Sequence, residues 1–308
     1  MTDSDSSYYR ILREASSPIW LRKSERDSYA NLAKRLGIDD QTVRTALKRM
    51  RQSGFLKTWT VMLNPHLFGM FCESVLLRRE GAALQVSRDK IIAQLKLVEG
   101  VVLIFSFLDD PGFRILFYLE DERSLDRKIR LLSSICGVDK PDAAWEVVFP
   151  RCKMKVKETD WEIARALLQD SRMNVFEMAH TIGVSNRTVR RRLTMMSEEN
   201  TFFPNPIVDL RKVEGFLYLF IVLYNNRKDK AVTDALLKES QEKIVFIDTT
   251  GEYFTVISAL CQNISESRRL SDWIKTMDGV KQVIVRVMEE LIPVNDWVDD
   301  MIKRRLSA

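Results

Sequence analysis

The sequence predicts an α+β fold built from two similar halves. Three observations lead to this prediction. A helix-turn-helix pattern occurs twice, about 146 residues apart. A β-α-β-β-α-β succession follows each copy, and the chain of 308 residues is long enough for four small domains.

The helix-turn-helix pattern is clearest between Asn174 and Phe203. Its first helix ends at Gly183, which tolerates the left-handed backbone that a sharp turn between helices needs. Ser185 follows where an N-cap belongs, because its hydroxyl can accept a hydrogen bond from an unpaired amide. The second helix has one apolar stripe, formed by Val189, Leu193 and Met196. Its opposite face carries Arg187, Arg191 and Thr194, with Arg190 on the flank, and such a helix suits the major groove of DNA.

An earlier copy of this pattern lies at Ser28–Leu56. At the common offset, Gly37 aligns with Gly183, and Thr42-Val43-Arg44 aligns with Thr188-Val189-Arg190. The apolar stripe of the second helix is repeated as well. A period of this length is far longer than a solenoid repeat, so it indicates a duplicated domain unit.

The residues after the first copy predict a wing followed by a β-α-β-β-α-β unit. Residues 55–65 alternate as a strand pair or wing. The elements expected next are the strand Glu73–Arg79, the helix Val86–Leu97, the strands Val101–Leu108 and Phe113–Glu120 joined by a tight turn, the helix Leu125–Ile135 and the strand Ala143–Phe149. This order is the ferredoxin-like pattern.

The second half repeats this order. The basic segment Arg151–Lys157 leads into the opening helix Asp160–Gln169, and a corresponding first helix is expected at Tyr8–Glu14. The later elements are the strand Phe216–Tyr224, the helix Ala231–Ser240, the strands Ile244–Asp248 and Tyr253–Cys261, the helix Glu266–Met277, the strand Lys281–Met288 and a basic helix Asp296–Leu306. We therefore expect winged helix-turn-helix domains at residues 1–64 and 151–215, and ferredoxin-like domains at residues 65–150 and 216–308.

Composition and charge narrow the functional classes. The formal charge is +5, and positive charge concentrates in the two helix-turn-helix segments, where a polyanion would bind. The four cysteines form no CxxC pair, so we expect no metal, cofactor or disulfide framework. The longest apolar run, at residues 216–224, is too short to cross a membrane, and we expect a soluble, cytoplasmic protein. The two histidines, His66 and His180, are expected to be structural or exposed rather than catalytic.

A family resemblance rests on specific motifs in both halves. The matching residues are Asp160, Ile163, Leu167, Asp170-Ser171-Arg172, Gly183-Val184-Ser185, Val189 and Arg192 in the second copy, and Val43, Leu47, Met50 and Gly54-Phe55-Leu56 in the first. This pattern resembles the N-terminal domain of the Lrp/AsnC family of prokaryotic transcription regulators. The resemblance implies a DNA-binding regulator whose βαββαβ effector domains pair sheet to sheet, so that one chain corresponds to two protomers in tandem. Ala46 departs from the pattern, since it replaces the arginine expected in the first copy.

The predicted partner is double-stranded DNA. A helical wheel places Gln41, Thr45 and Lys48 opposite the packed stripe of the first recognition helix. The predicted contact residues are Gln41, Thr42, Arg44, Thr45, Lys48 and Arg49 in the first copy, and Asn186, Arg187, Thr188, Arg190, Arg191 and Thr194 in the second, within an arginine run that extends to Arg192. Because the two helices present different side chains, we expect an asymmetric DNA site for one chain.

Further expectations concern effectors, oligomers and rival functions. The resemblance implies a small-molecule effector near Gly251, Glu252 and Tyr253, although Phe254 replaces the aspartate expected next. A dimer of tandem chains is also expected. Two alternatives stay open at this point. One is an enzyme resembling the siroheme decarboxylases, which share this fold and bind a tetrapyrrole, and the other is an architectural protein that binds DNA with little sequence preference.

Overall fold

The structure, a computed structural model, describes residues 11, 29–108, 112–212, 217–225, 236, 244–249 and 254–307. Within these ranges the predicted α+β fold is confirmed. The first half contains α1 (Tyr29–Leu36), α2 (Asp40–Gln52), β1 (Leu56–Leu63), β2 (Phe71–Leu77), α3 (Arg88–Lys96), β3 (Val101–Phe107), β4 (Phe113–Leu119), α4 (Leu125–Cys136) and β5 (Ala143–Val147).

Within the described residues, the second half repeats this order except for the helix between its first two sheet strands. It has an opening helix before the helix-turn-helix and one addition at its end. It contains α5 (Glu158–Gln169), α6 (Val175–Ile182), α7 (Asn186–Glu198), β6 (Phe202–Val208), β7 (Leu217–Asn225), β8 (Ile244–Thr249), β9 (Phe254–Cys261), α8 (Ile264–Lys275), β10 (Val280–Pro293) and α9 (Asp296–Leu306). The addition is α9, which packs against α5.

Each half has the strand order expected of a ferredoxin-like sheet. The order is β5-β2-β4-β3 in the first half and β10-β7-β9-β8 in the second, and all the pairings are antiparallel. In both halves the fourth strand lies beside the first, and the third strand lies between the first and the second. This topology confirms the β-α-β-β-α-β pattern read from the sequence.

The strand β10 is longer than the sequence predicted. The prediction ended this strand at Met288, whereas the observed strand continues to Pro293. Its first part, through Val287, pairs with β7, and its last part pairs with β3 of the other half. A register shift between Met288 and Glu290 separates the two parts. β10 extends this far because the edge of β3 in the other half is free to pair with it. A prediction made for each half separately does not include a strand edge from the other half.

The two sheets also pack face to face, as the family resemblance implied. The rings of Phe107 and Phe220 lie 5.6 Å apart between centroids, and Trp145 stacks on Phe220 at 6.5 Å. The guanidinium of Arg114 is buried between these sheets, 4.9 Å from the Phe220 ring centroid and 5.1 Å from that of Trp145. Its Nε donates to Ser74 Oγ at 2.9 Å. One chain therefore contains the paired core that separate protomers would otherwise build together.

The wing differs from the prediction. Residues 55–65 were expected to form a strand pair or wing of their own, but β1 is a single strand that pairs with β6 of the other half. Trp59 lies opposite Pro206, and Thr60 lies opposite Asn205. The offset of 146 residues relates Trp59 to Asn205 and Thr60 to Pro206, so it exchanges these two pairs. The two halves are therefore related by a pseudo-twofold axis at this point of the two-stranded β1–β6 ribbon. Sequence alternation identified the strand correctly, but it could not identify a partner more than a hundred residues away.

Four expected features lie wholly or mainly outside the described residues, one of them the tight turn at residues 109–112. The other three follow. They are the first helix at Tyr8–Glu14, of which Ile11 alone is described and is helical, the helix Ala231–Ser240, of which Leu236 alone is described and is helical, and the hairpin turn at residues 250–253. Within the described ranges, the longest apolar helices fall short of what a membrane span would require.

Candidate nucleic-acid interface

The first helix-turn-helix unit consists of α1 and α2. Gly37 adopts φ +67° in the turn between them, a backbone conformation that favours glycine. Asp39 caps α2 by accepting a hydrogen bond from the Thr42 amide at 2.8 Å, and its carboxylate also accepts from the Thr42 hydroxyl. These hydrogen bonds hold the pKa of Asp39 below its usual value. The packed stripe of α2 is buried, as predicted, and comprises Val43, Ala46, Leu47 and Met50.

The second unit, α6 and α7, has the same construction. Gly183 adopts φ +76°, and Ser185 Oγ accepts from the Thr188 amide at 3.1 Å. At the end of α7, Asn200 adopts φ +55°, and it corresponds to Gly54, which has φ +75° in the first unit. The glycine turn, the cap and the left-handed end all recur at the same offset. Both recognition helices are therefore fixed at both ends by local chemistry.

The shared ribbon sets the positions of the two recognition helices. α2 leads into β1 at Leu56, and α7 leads into β6 at Phe202. Because Phe202 pairs with Leu63, the helices join the ribbon at opposite ends. Seven residues of strand span about 23 Å. The two helices thus project from opposite ends of one ribbon that is about 23 Å long.

Contacts across the ribbon hold the two helix-turn-helix units together. Arg172, in the turn after α5, lies over the Trp59 ring at 4.3 Å and over the Tyr29 ring at 5.8 Å. The Ser171 amide donates to the Trp59 carbonyl at 3.1 Å. These contacts join the second unit to β1 and α1 of the first. Sequence reasoning noted Arg172 as a family match but missed this bridging position, since no local pattern indicates which aromatic ring a distant arginine will meet.

A buried polar cluster connects the ribbon to the C-terminal helix. Thr60 Oγ1 donates to the Leu168 carbonyl at 2.9 Å, and Asn295 Nδ2 donates to Thr60 Oγ1 at 3.0 Å. A small cavity of about 20 Å³ lies beside this cluster, and its lining includes Tyr118 and Asn205. The ribbon is thus hydrogen-bonded both to the second helix-turn-helix unit and to the segment that follows β10.

Most of the predicted contact residues lie at the surface. The exposed ones are Gln41, Arg44, Lys48 and Arg49 on α2, and Asn186, Arg187, Arg190, Arg191 and Thr194 on α7. Thr42, Thr45 and Thr188 are half-buried, and the amides of Thr42 and Thr188 are the ones that the caps bind. The side chain of Arg44 is positioned by two contacts. Its Nε lies 2.7 Å from Asp40 Oδ2, and its guanidinium lies 4.8 Å from the Tyr29 ring centroid.

One arginine of the predicted run does not belong to the surface. Arg192 is 5% exposed, and its guanidinium donates to both carboxylate oxygens of Asp160 on α5. The run Arg190–Arg192 was interpreted as a DNA contact, and for Arg192 that interpretation was wrong. The reason is helical geometry, since Arg192 follows Val189 by three residues and so shares its packed face.

The described residues contain no group of three histidine, cysteine or acidic side chains placed to hold a metal ion. His66 and His180 are both exposed, as expected, and they lie in different parts of the chain, one after β1 and the other near the end of α6. The predicted effector residues Gly251, Glu252 and Tyr253 lie outside the described residues.

Comparisons with known proteins agree with this geometry. Residues 157–201, which cover α5 to α7, match the winged helix-turn-helix DNA-binding family. The chain is 27% identical over 122 residues to an uncharacterized HTH-type transcriptional regulator of Pyrococcus horikoshii, and the match covers 38% of this chain and 76% of that protein. Among solved structures, AsnC of E. coli is 24% identical and covers 44% of this chain and 92% of its own, with a TM-score of 0.35.

A whole-chain similarity comes from a different protein. The crystal structure of the siroheme decarboxylase NirDL covers 97% of this chain and 98% of its own, with a TM-score of 0.54 and 12% identity. At this identity the likeness shows a common fold and nothing more. The comparisons together confirm a winged helix-turn-helix in residues 157–201, and they show that the chain as a whole shares the fold of NirDL.

Proposed function

We propose that this protein is a transcription regulator that docks two non-identical recognition helices, α2 and α7, in the major groove of one DNA duplex. The observation that carries the proposal is the shared β1–β6 ribbon, because the two capped recognition helices join it at opposite ends. The surface of α7 adds support. Arg187, Arg190 and Arg191 are exposed and make no ion pair with any other residue of the described chain.

The two helices divide the recognition between them. On α2 the outward positions hold Gln41, Thr45 and Lys48, and glutamine and threonine can read base edges. The equivalent positions on α7 hold Arg187, Arg191 and Thr194, and arginine either pairs with guanine or holds phosphate. We infer that one chain reads an asymmetric site. The second helix contributes more to affinity in this proposal, and the first contributes more to sequence choice.

The ferredoxin-like sheets, placed within residues 65–150 and 216–308, are proposed to serve pairing and regulation. The sandwich they form supplies within one chain the contact that separate protomers would make. A dimer of tandem chains and a small-molecule effector at Gly251, Glu252 and Tyr253 are further parts of the proposal. Sedimentation of the purified chain tests the first, and ligand-induced shifts in DNA affinity test the second.

An enzymatic function is the alternative, and it is tested together with DNA binding because the fold is shared along the whole chain with NirDL. NirDL has also been solved in complex with an iron-uroporphyrin III analogue. In this chain the two histidines are exposed and lie on separate domains, which does not favour a common tetrapyrrole site. Titration with an iron porphyrin, followed by its absorbance, distinguishes the two functions. A saturable spectral shift together with absent DNA binding would favour the enzyme.

The main experiment selects bound sequences from a random DNA pool and maps occupancy on the genome of origin. The double variant Arg187→Ala/Arg191→Ala is expected to lose about 2 kcal/mol or more of binding energy, roughly 30-fold in affinity, at the selected site. The matched control is Arg268→Ala/Arg269→Ala on α8, which removes the same charge from two exposed positions far along the chain. Equal behaviour of the two variants would refute the proposal. Competition by unrelated DNA at equal concentration would instead indicate an architectural protein.

A further inference from the structure

A stripe of four cations lies between the two halves of the chain, in the segment from residue 151 to residue 157. Arg151, Lys153, Lys155 and Lys157 are all exposed, whereas the residues between them are half-buried. Exposure therefore alternates with a period of two, as in an extended chain that rests on a surface. We call these four side chains the basic stripe.

The intervening side chains fix the direction of the basic stripe. Met154 and Val156 pack against the main hydrophobic core, so the cations on the other side of the segment must point to solvent. Residues two apart in an extended segment are about 6.6 Å apart, and the four cations therefore span about 20 Å. A charge run on a mobile tail would have no such spacing.

Within the described residues, the four cations of the basic stripe make no ion pair, although several other cations of the chain do, among them Lys57 with Glu290 at 2.5 Å and Arg165 with Asp299 at 2.8 Å. The segment itself contains no carboxylate. The result is a local charge of +4 on one face, which is suited to a linear polyanion.

The basic stripe borders the second helix-turn-helix unit. Asn64 Nδ2 donates to the Pro150 carbonyl at 2.8 Å and to the Asn200 carbonyl at 2.9 Å. Asn64 thus holds the start of the stripe beside the residue that follows the recognition helix α7. At its other end, Lys157 immediately precedes α5, the first helix of the same unit.

We propose that the basic stripe binds the phosphate backbone of DNA beyond the half-site that α7 reads, and so lengthens the footprint of the protein on that side. This inference rests on the proposed function. The first half has no comparable stripe, since residues 1–7, which precede its predicted first helix, carry Asp3 and Asp5 and no lysine or arginine. The extension is therefore one-sided, and it contributes affinity without sequence preference.

The test compares the salt dependence of binding for Lys153→Gln/Lys155→Gln with that of Lys90→Gln/Lys96→Gln, a control pair of exposed lysines on α3. The probe is a duplex that carries the selected site with a long flank on the α7 side. Each lost phosphate contact reduces the magnitude of the slope of log affinity against log salt by about 0.9. The slope of the stripe variant should therefore be smaller in magnitude than that of the parent by about 1.8. Its drop in affinity between 50 and 200 mM salt should be about 12-fold smaller than that of the parent.

Trimming the flank from the duplex should lower the slope of the parent protein at least as far as that of the stripe variant, because it removes the phosphates that all four cations contact. The order of preferred sequences should stay the same for the parent and the variant. An unchanged slope for Lys153→Gln/Lys155→Gln would overturn the inference. The two proposals fail separately. If Arg187→Ala/Arg191→Ala abolishes binding while the stripe variant behaves like the control, only the basic stripe is refuted. If Arg187→Ala/Arg191→Ala has no effect, the proposed function itself is refuted.

Discussion

Arg192 of α7 and Asp160 of α5 form a buried, bidentate ion pair inside the second helix-turn-helix unit, with 6% and 0% of their side chains exposed. The hydrogen bonds that Arg192 donates to the Asp160 carboxylate raise the pKa of Arg192 above its ordinary value. At the equivalent position the first unit has Ala46, which is buried in the α2 packing face. The two units thus share a fold but orient their recognition helices with different core chemistry, one ionic and one apolar.

The ion pair gives a first prediction about stability. Asp160→Leu or Arg192→Met alone should destabilise the second helix-turn-helix unit by about 3–5 kcal/mol, because each leaves an uncompensated buried charge. The double variant should be close to the parent protein, since an apolar pair of similar volume needs no charge partner. Denaturant unfolding of all four proteins measures this cycle. Additive effects of the two substitutions would show that the pair does not act as a unit.

The second prediction concerns the symmetry of the DNA site. Gln41→Arg/Thr45→Arg gives α2 the two arginines that α7 has at equivalent positions. Sequences selected by this variant should become more palindromic than those selected by the parent, because both helices then present arginine to the groove. The control is Arg49→Gln, on the flank of α2, which should change affinity more than sequence. A parent site that is already palindromic would contradict the asymmetry.

The third prediction concerns the contact of Arg172 with Trp59 across the ribbon, at 4.3 Å. Spin labels at cysteines replacing Arg49 and Met195, which are equivalent exposed positions on α2 and α7, report the distance between the recognition helices. Cys152, the half-buried cysteine, is replaced by serine, and Cys72, Cys136 and Cys261 are buried.

Arg172→Gln should broaden this distance distribution, because it removes a cation–π contact of roughly 1–2 kcal/mol. Lys96→Gln, on α3 of the first ferredoxin-like domain, should leave the distance distribution as narrow as in the parent protein. A distribution equally narrow in Arg172→Gln would mean that the ribbon alone fixes the geometry.

The fourth prediction concerns Glu73 of β2, which is 7% exposed and lies opposite Glu146 of β5. Burial, and then the charges of Glu146 and Glu122, raise the pKa of Glu73 from 4.5 to about 7. Since the folded protein holds this proton more tightly than the unfolded chain, the stability associated with Glu73 is full below pH 4.5 and is lost as the pH rises to about 7.

Glu73→Gln should therefore unfold at a higher denaturant concentration than the parent at pH 8 but at about the same concentration at pH 4. A shift of 2.5 units sets an upper limit of about 3.4 kcal/mol on the difference. Glu146→Gln should give a smaller effect of the same sign. A stability difference that does not depend on pH would contradict the assignment.

The sequence predicted local structure well because local chemistry determines it. The turn at Gly183 and the cap at Ser185 follow from short-range sterics and hydrogen bonding, and both were found where they were expected. The order of elements in the ferredoxin-like sheets follows from hydrophobic periodicity and turn signals.

Features that join the two halves escaped prediction because they depend on distant partners. β10 extends because β3 of the other half has a free edge, and β1 pairs with β6, which also lies in the other half. Arg192 shows a different limit. It belongs to an arginine run, but its spacing from Val189 places it on the packed face of α7, where Asp160 of α5 is its acidic partner. Alternating exposure in the basic stripe was visible in the sequence as RCKMKVK, but the periodicity alone could not say what covers its apolar side.

The central claim, that one chain places two different helices on one duplex, is tested most directly by hydroxyl-radical footprinting of a complex of one chain with one duplex. We expect two protected patches on the same face of the DNA, separated by about one helical turn, 34–36 Å. Arg187→Ala/Arg191→Ala should remove one patch, and Gln41→Ala/Lys48→Ala should weaken the other. A single patch in the parent complex, unaffected by substitutions on one of the two helices, would contradict the account.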